Sequence, residues 1–92
     1  MWFVYILRCA DNSYYTGITT DVNARIKKHN CGKGAKYTRA RTPVKLVYLE
    51  RKLSKQAAGK RENEIKALSR KDKIILVKRK ESECQVYQSK TN

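Results

Sequence analysis

Six consecutive residues near the start of the chain, Trp2-Phe3-Val4-Tyr5-Ile6-Leu7, are aromatic, β-branched or leucine. A run this short and this apolar is expected as a buried strand. Asp11-Asn12-Ser13 follows as a turn, because short polar side chains bond locally to backbone there. Tyr14 to Thr19 is then a second strand, and the two should pair as an antiparallel hairpin. Gly17 within that strand marks a bulge or a close approach by another group. Thr20 or Asp21 caps a helix running to about Asn30, with Val22 and Ile26 facing the core and Arg25 and His29 on an adjoining stripe. Asn30, Gly32 and Gly34 end that helix and open a basic loop. Pro43 introduces a third strand, Val44 to Glu50. Ser54 caps a helix to about Leu68, with Ala57, Ala58, Ile65 and Leu68 on its buried face. Ser69-Arg70-Lys71-Asp72 resembles a capping box and opens a short helix carrying Ile74, Ile75 and Leu76. The expected fold is α/β, a small three-stranded antiparallel sheet flanked by helices in the order β-β-α-β-α-α. Residues 1–78 form the domain, and 79–92 are expected as a polar tail, mobile from Glu81 onward.

Charge narrows the partners. The 92 residues include 22 Lys and Arg against 8 acids, a net charge of +14. Such a surface repels itself and suits a polyanion, with nucleic acid expected ahead of membrane. No segment approaches the roughly 18 apolar residues of a spanning helix, and no signal segment is expected. Cys9, Cys31 and Cys84 are odd in number and lack C-x-x-C spacing, so free thiols in a reducing cytoplasm are expected. The charge is also uneven. Between Val22 and Leu49 there is no acid, but there are eight cations: Arg25, Lys27, Lys28, Lys33, Lys36, Arg39, Arg41 and Lys45. Tyr37 lies among them and could stack a base or sugar while the cations follow a phosphate backbone. Lys28, Lys33, Lys36, Tyr37, Arg39 and Arg41 are therefore the expected nucleic-acid contacts. Lys78, Arg79 and Lys80 lack that context and are expected to be solvated.

Val4-Tyr5-Ile6, followed after a turn by Tyr15-Thr16-Gly17, resembles the paired hairpin motif of the GIY-YIG endonuclease superfamily. Arg25-Ile-Lys-Lys-His29-Asn30 resembles the family's R-x-x-x-H-N element, and Glu62 sits where the family carries a metal-binding acid. The small size is similar to the stand-alone, YhbQ-like bacterial members, and the likeness spans roughly residues 1–77. The sequence also departs from the pattern. Val4 replaces the first glycine, which makes Tyr5 the matching tyrosine, and Ile18 stands where many members carry a lysine that could orient or activate water. The resemblance implies a Mg²⁺- or Mn²⁺-dependent endonuclease acting on DNA. It implies Tyr5 as general base, Tyr15 binding or orienting the phosphate, and Glu62 holding the metal.

Those residue types suit phosphodiester hydrolysis, which needs an attacking hydroxide, charge stabilisation at phosphorus and help for the departing oxygen. Mg²⁺ keeps several waters and takes one or two carboxylates, so Glu62 could anchor it while phosphate completes the shell. Arg25 offers a planar fork of donors that lysine cannot match. Tyrosine ionises near pH ~10, so Tyr5 needs help near neutrality, and His29 could tune it or relay its proton. Glu64 rivals Glu62, although Glu62 borders the face of Ala58, Ile65 and Ser69 whereas Glu64 points nearer solvent. Tyr5, Tyr15, Arg25, His29 and Glu62 are expected to converge on one concave face. Two other functions compete: a non-catalytic nucleic-acid binder that retains the fold, and a basic structural protein of a ribonucleoprotein particle.

Overall fold

In the computed structural model, which describes the backbone of residues 1–89 and the side chains of residues 1–79, the N-terminal hairpin forms as expected. Strand β1 spans Trp2–Arg8 and β2 spans Tyr14–Thr19, paired antiparallel with Tyr5 opposite Gly17 and an unbroken register. Asn12 closes the turn at φ 67°, a conformation asparagine tolerates better than most residues. Strand β3 spans Lys45–Lys52 and pairs antiparallel with the other side of β1, giving the sheet order β2-β1-β3. The register between β1 and β3 shifts at Ile6/Leu7: Ile6 opposes Tyr48 and Leu7 opposes Leu46, so Val47 is the extra residue of a bulge.

Alternation along β1 then divides the core in two. Val4 and Ile6 pack with Val47, Tyr48, Ala58, Ile65 and Val77 on one face. Tyr5 and Leu7 pack with Val22, Val44 and Leu46 on the other. Helix α1, Val22–Asn30, belongs to the second face and is capped by Asp21, whose carboxylate accepts from the Ala24 amide. Helix α3, Lys55–Lys66, belongs to the first face and is capped by Ser54. Of its expected buried residues Ala58 and Ile65 are buried and Leu68 half-buried, but Ala57 is exposed.

Two elements differ from expectation. A four-residue helix, α2, Lys36–Arg39, forms inside the basic loop, so helices number four rather than three among the described residues. It forms because Thr38, fully buried, folds back onto α1. The C-terminal helix α4 is also longer than the short helix expected, running Arg70–Ser89. Its stretch beyond Val77 has no apolar periodicity, yet Lys, Arg, Glu and Gln are all good helix formers. The side chains of the expected tail from residue 80, and residues 90–92 altogether, lie outside the described residues.

Candidate active site

Tyr5 points from the middle of β1 toward α1. Its ring is 1% exposed, and its hydroxyl lies 3.0 Å from His29 Nε2. The space for that ring comes from Gly17. A Cβ there would meet Tyr5 Oη at 2.6 Å and Tyr15 Cε2 at 3.2 Å. Close approach, rather than a bulge, is therefore what Gly17 provides.

His29 is fully buried near the end of α1. Its Nδ1 lies 2.8 Å from Thr38 Oγ1, and that hydroxyl donates to the Ala35 carbonyl at 2.9 Å. Gly34 lies against the ring, since a Cβ there would come within 2.8 Å of both His29 Cα and Cγ. Its absent side chain serves His29 as well as the end of the helix. Tyr15 completes the aromatic cluster, with ring centroids 6.4 Å from Tyr5 and 5.3 Å from His29.

Arg25, one helical turn before His29, is half-buried. Its Nε is buried without a protein partner. Burial pushes the Tyr5 phenol above its ordinary value, against a lowering hydrogen-bond influence of Arg25. Burial, aided by the Arg25 charge, holds His29 below its ordinary value. Both groups are thus neutral near pH 7.

Glu62 comes from α3, a helix packed on the opposite face of the sheet from Tyr5. Glu62 therefore reaches the site from a different helix and the other face of the sheet than Arg25 and His29. Tyr5, Tyr15, Arg25 and His29 form one cluster, while the Glu62 carboxylate is near enough for its charge to raise the Tyr5 phenol further. Glu62 is 20% exposed and pairs with Lys66 at 3.2 Å. Glu64 is 52% exposed and pairs with Arg61 instead. Of the two acids, Glu62 is the more buried, and its charge raises the Tyr5 phenol.

The basic residues sort into two groups. Lys28, Lys33, Lys36 and Arg39 are exposed. Arg41 is engaged: it bonds Asp11 at 3.1 Å, donates to the Tyr37 carbonyl at 2.7 Å, and lies 4.1 Å over the Tyr37 ring. Tyr37 in turn stacks on Tyr15, centroids 6.1 Å apart, and remains 40% exposed. A groove beside this stack is lined by Tyr14, Tyr15, Thr16, Tyr37, Lys66 and Lys73. The last two lysines escaped sequence reasoning because they lie on later helices among mixed charges rather than in an unmixed basic run. Asn30 has a different part from its neighbours. Its side chain accepts from the Val44 amide at 2.7 Å and donates to the Val44 carbonyl at 3.4 Å, fastening the end of α1 to the start of β3.

No group of three or more His, Cys, Asp or Glu side chains that could enclose a metal exists among the described residues, so a cation here would rely on Glu62. No helix among them is long and apolar enough to cross a membrane.

Comparison with known proteins identifies the family of the chain. The family model of the GIY-YIG catalytic domain matches residues 1–75. A UPF0213 protein of Natronomonas pharaonis is 59% identical over 75 residues, covering 82% of this chain and 88% of the relative. A UPF0213 protein of Staphylococcus aureus is 57% identical over 76 residues, covering 83% and 93%. The solution NMR structure of a UPF0213 protein from Bacillus halodurans superposes with a TM-score of 0.58 at 55% identity, covering 88% of this chain and 87% of that one. The paired tyrosines around Gly17, the arginine and histidine one turn apart on α1, and the acid on α3 accordingly sit in a chain that belongs to the GIY-YIG nuclease superfamily, among its small UPF0213 proteins.

Proposed function

We propose that the protein is a metal-dependent endonuclease that hydrolyses DNA phosphodiester bonds in the cytoplasm. The observation that carries this reading is the buried hydrogen-bonded chain from Tyr5 through His29 to Thr38, with the half-buried Arg25 near enough to act on both Tyr5 and His29. A phenol and an imidazole buried together are costly unless each is satisfied, and an ordinary core would use apolar residues there. Arg25 Nε strengthens the case. An unpaired buried donor costs about 1–3 kcal/mol, a cost removed when a phosphoryl oxygen accepts from it.

The proton path follows from donors and acceptors. Water attacks phosphorus, forming one P–O bond while the bond to the departing sugar oxygen breaks. The water proton passes to Tyr5 Oη as the phenolic proton passes to His29 Nε2, leaving imidazolium. The departing alkoxide takes a proton from solvent. Arg25 stabilises both the Tyr5 oxygen and the charge growing on the phosphate. Tyr15, packed against Tyr5 and His29, keeps the phenol in line and faces the groove. Glu62 suits a single Mg²⁺ or Mn²⁺, an ion that accepts one carboxylate with water and phosphate as its other ligands. When bound, such an ion supplies Lewis acidity that neutralises charge on the phosphate. Lys66 and Lys73 line the groove beside Tyr15, so the DNA strand runs there, with Lys28, Lys33, Lys36 and Arg39 as a more distant basic rim. Free Cys9 and Cys31 suit a reducing compartment.

One observation favours a second reading. Ile18, at the position where many family members carry a lysine, packs against the Val4/Ile6 core and brings no charge to the phosphate. A nucleic-acid binder without turnover would result if that lysine were indispensable. A purely structural ribonucleoprotein component has no use for the buried relay. Incubation of branched, nicked and linear DNA with Mg²⁺ or Mn²⁺ decides between the first two. Cleavage is expected from the wild type, and none from Glu62→Gln, Tyr5→Phe or Arg25→Ala. Binding without cleavage of any DNA would establish the second reading, and equal cutting by Glu62→Gln would disqualify Glu62.

A further inference from the structure

We propose that Thr38 is a positioning residue that fixes His29 as the Nδ1–H tautomer, so that His29 Nε2 accepts the proton of Tyr5. The inference rests on the catalytic reading above for its consequence, but its geometry stands by itself. The Thr38 hydroxyl owns one proton, and the Ala35 carbonyl, which can only accept, takes it at 2.9 Å. Thr38 Oγ1 is then an acceptor toward His29 Nδ1 at 2.8 Å, which places hydrogen on Nδ1 and leaves Nε2 with a bare lone pair. The other end of the chain is compatible with this. The Tyr5 hydroxyl lies 3.0 Å from His29 Nε2 and, as a hydroxyl, can either donate to it or accept from it. The choice therefore falls to Thr38, and with Nδ1 protonated the phenolic proton goes to Nε2.

The local build holds this arrangement. Thr38 is 0% exposed, and its backbone amide also bonds the Ala35 carbonyl at 3.1 Å. Gly34 of the same segment leaves space for the imidazole, because a Cβ there would collide with His29 Nδ1. The short helix α2 serves as the support of His29 within a loop whose composition suggests only charge. With the opposite tautomer, Nε2–H would donate to Tyr5 Oη, and the phenol could not pass its proton on. The hydroxyl thus sets the direction of proton flow without touching substrate.

The chain contains one histidine, so a long-range ¹H–¹⁵N spectrum of the full-length protein reports His29 alone. In the wild type near pH 7 we expect a protonated Nδ1 and an unprotonated Nε2. Thr38→Val keeps the shape and removes the hydroxyl, and should move the population to Nε2–H. Thr38→Ser should restore the wild-type pattern. On DNA, Thr38→Val should lower kcat on the order of 10²-fold or more with KM little changed, the scale on which positioned proton transfer contributes, and Thr38→Ser should recover most of it. An Nε2–H ring in the wild type overturns the proposal, and that spectrum suffices if Thr38→Val does not fold. An Nδ1–H ring that persists in folded Thr38→Val overturns it too, even where cleavage falls. A tautomer that switches as expected in a protein that never cleaves DNA upholds the positioning of His29 and instead removes the nuclease reading.

Discussion

Gly17→Ala isolates the claim that Tyr5 is held in place by the missing side chain across the hairpin. The added Cβ would lie 2.6 Å from Tyr5 Oη and 2.8 Å from Cζ, whereas ordinary contact begins at 3.4 Å, so the phenol must retreat by about 0.8 Å. The ring is 1% exposed and its hydroxyl is fixed on His29, which leaves it no low-cost way to move. Overpacking of this kind costs about 1–3 kcal/mol. In a domain of this size each kcal/mol lowers Tm by roughly 4–8 °C, giving a drop of about 4–24 °C. A retreat of nearly an ångström at the proton-transferring group also costs about 100-fold in rate. Gly59→Ala is the control. Nothing lies within 4 Å of a Cβ at Gly59, and alanine within α3 should stabilise by roughly 0.5–1 kcal/mol. Thermal unfolding by circular dichroism and initial cleavage rates would be measured on both variants. If Gly17→Ala melted with the wild type and cut DNA at the same rate, Tyr5 would not be confined as described.

Burial and the Arg25 charge hold His29 below its ordinary 6.5, with Tyr5, Tyr15 and Thr38 as the other groups around it. Because the unfolded chain takes up the proton first, stability should fall as pH drops below about 6.5 toward the folded value, and the acid limb of the pH–rate profile should lie below 6.5 as well; an NMR titration midpoint at or above 6.5 would contradict this. Glu50 receives hydrogen bonds from Lys52, Tyr48 and Arg61 that outweigh its burial and hold its carboxyl down at about 2. Its contribution is complete above the ordinary 4.5 and lost as pH falls toward 2. Glu50→Gln should therefore cost roughly 1–2 kcal/mol near neutrality, after allowance for solvent screening, and urea titrations should show that difference shrinking toward acid pH. Alanine at Lys33, Lys36 and Arg39 should weaken DNA binding regardless of sequence and reduce the log–log salt slope by about 0.9 for each phosphate no longer neutralised; an unchanged slope would make the rim merely solvated. Arg41→Ala should instead lower thermal stability, because that guanidinium already serves Asp11 and Tyr37.

What could be read in the sequence was what neighbouring residues decide. The hairpin follows from two β-rich runs around Asp11-Asn12-Ser13, and the helix starts follow from Asp21 and Ser54. The faces of α1 and α3 follow from spacing, which also preferred Glu62 over Glu64. Thr38 was illegible because a threonine among lysines carries no sign of the histidine nine residues earlier that it supports. Gly34 looked like helix punctuation because only the folded ring reveals the contact. The Arg41 cation looked free because its partner, Asp11, lies 30 residues away. Long-range partners set each of these, and local pattern holds no record of them.

The extra residue Val47 changes the parity of β3. Leu46 faces the Tyr5 side of the sheet, and strict alternation would return Tyr48 and Glu50 to that side. After the bulge, Tyr48 opposes Ile6 and Glu50 opposes Val4, so both look toward α3, where Glu50 meets Arg61. Without it, the strongest acid of the sheet would share a wall with Arg25 and repel the phosphate that Arg25 awaits. The bulge thus turns Glu50 toward Lys52 and Arg61 and away from Arg25. Deleting Val47 would straighten the strand yet leave Leu46, Tyr48 and Glu50 on the faces they now hold, whereas a regular pairing that kept Val47 would turn Glu50 to the Arg25 side.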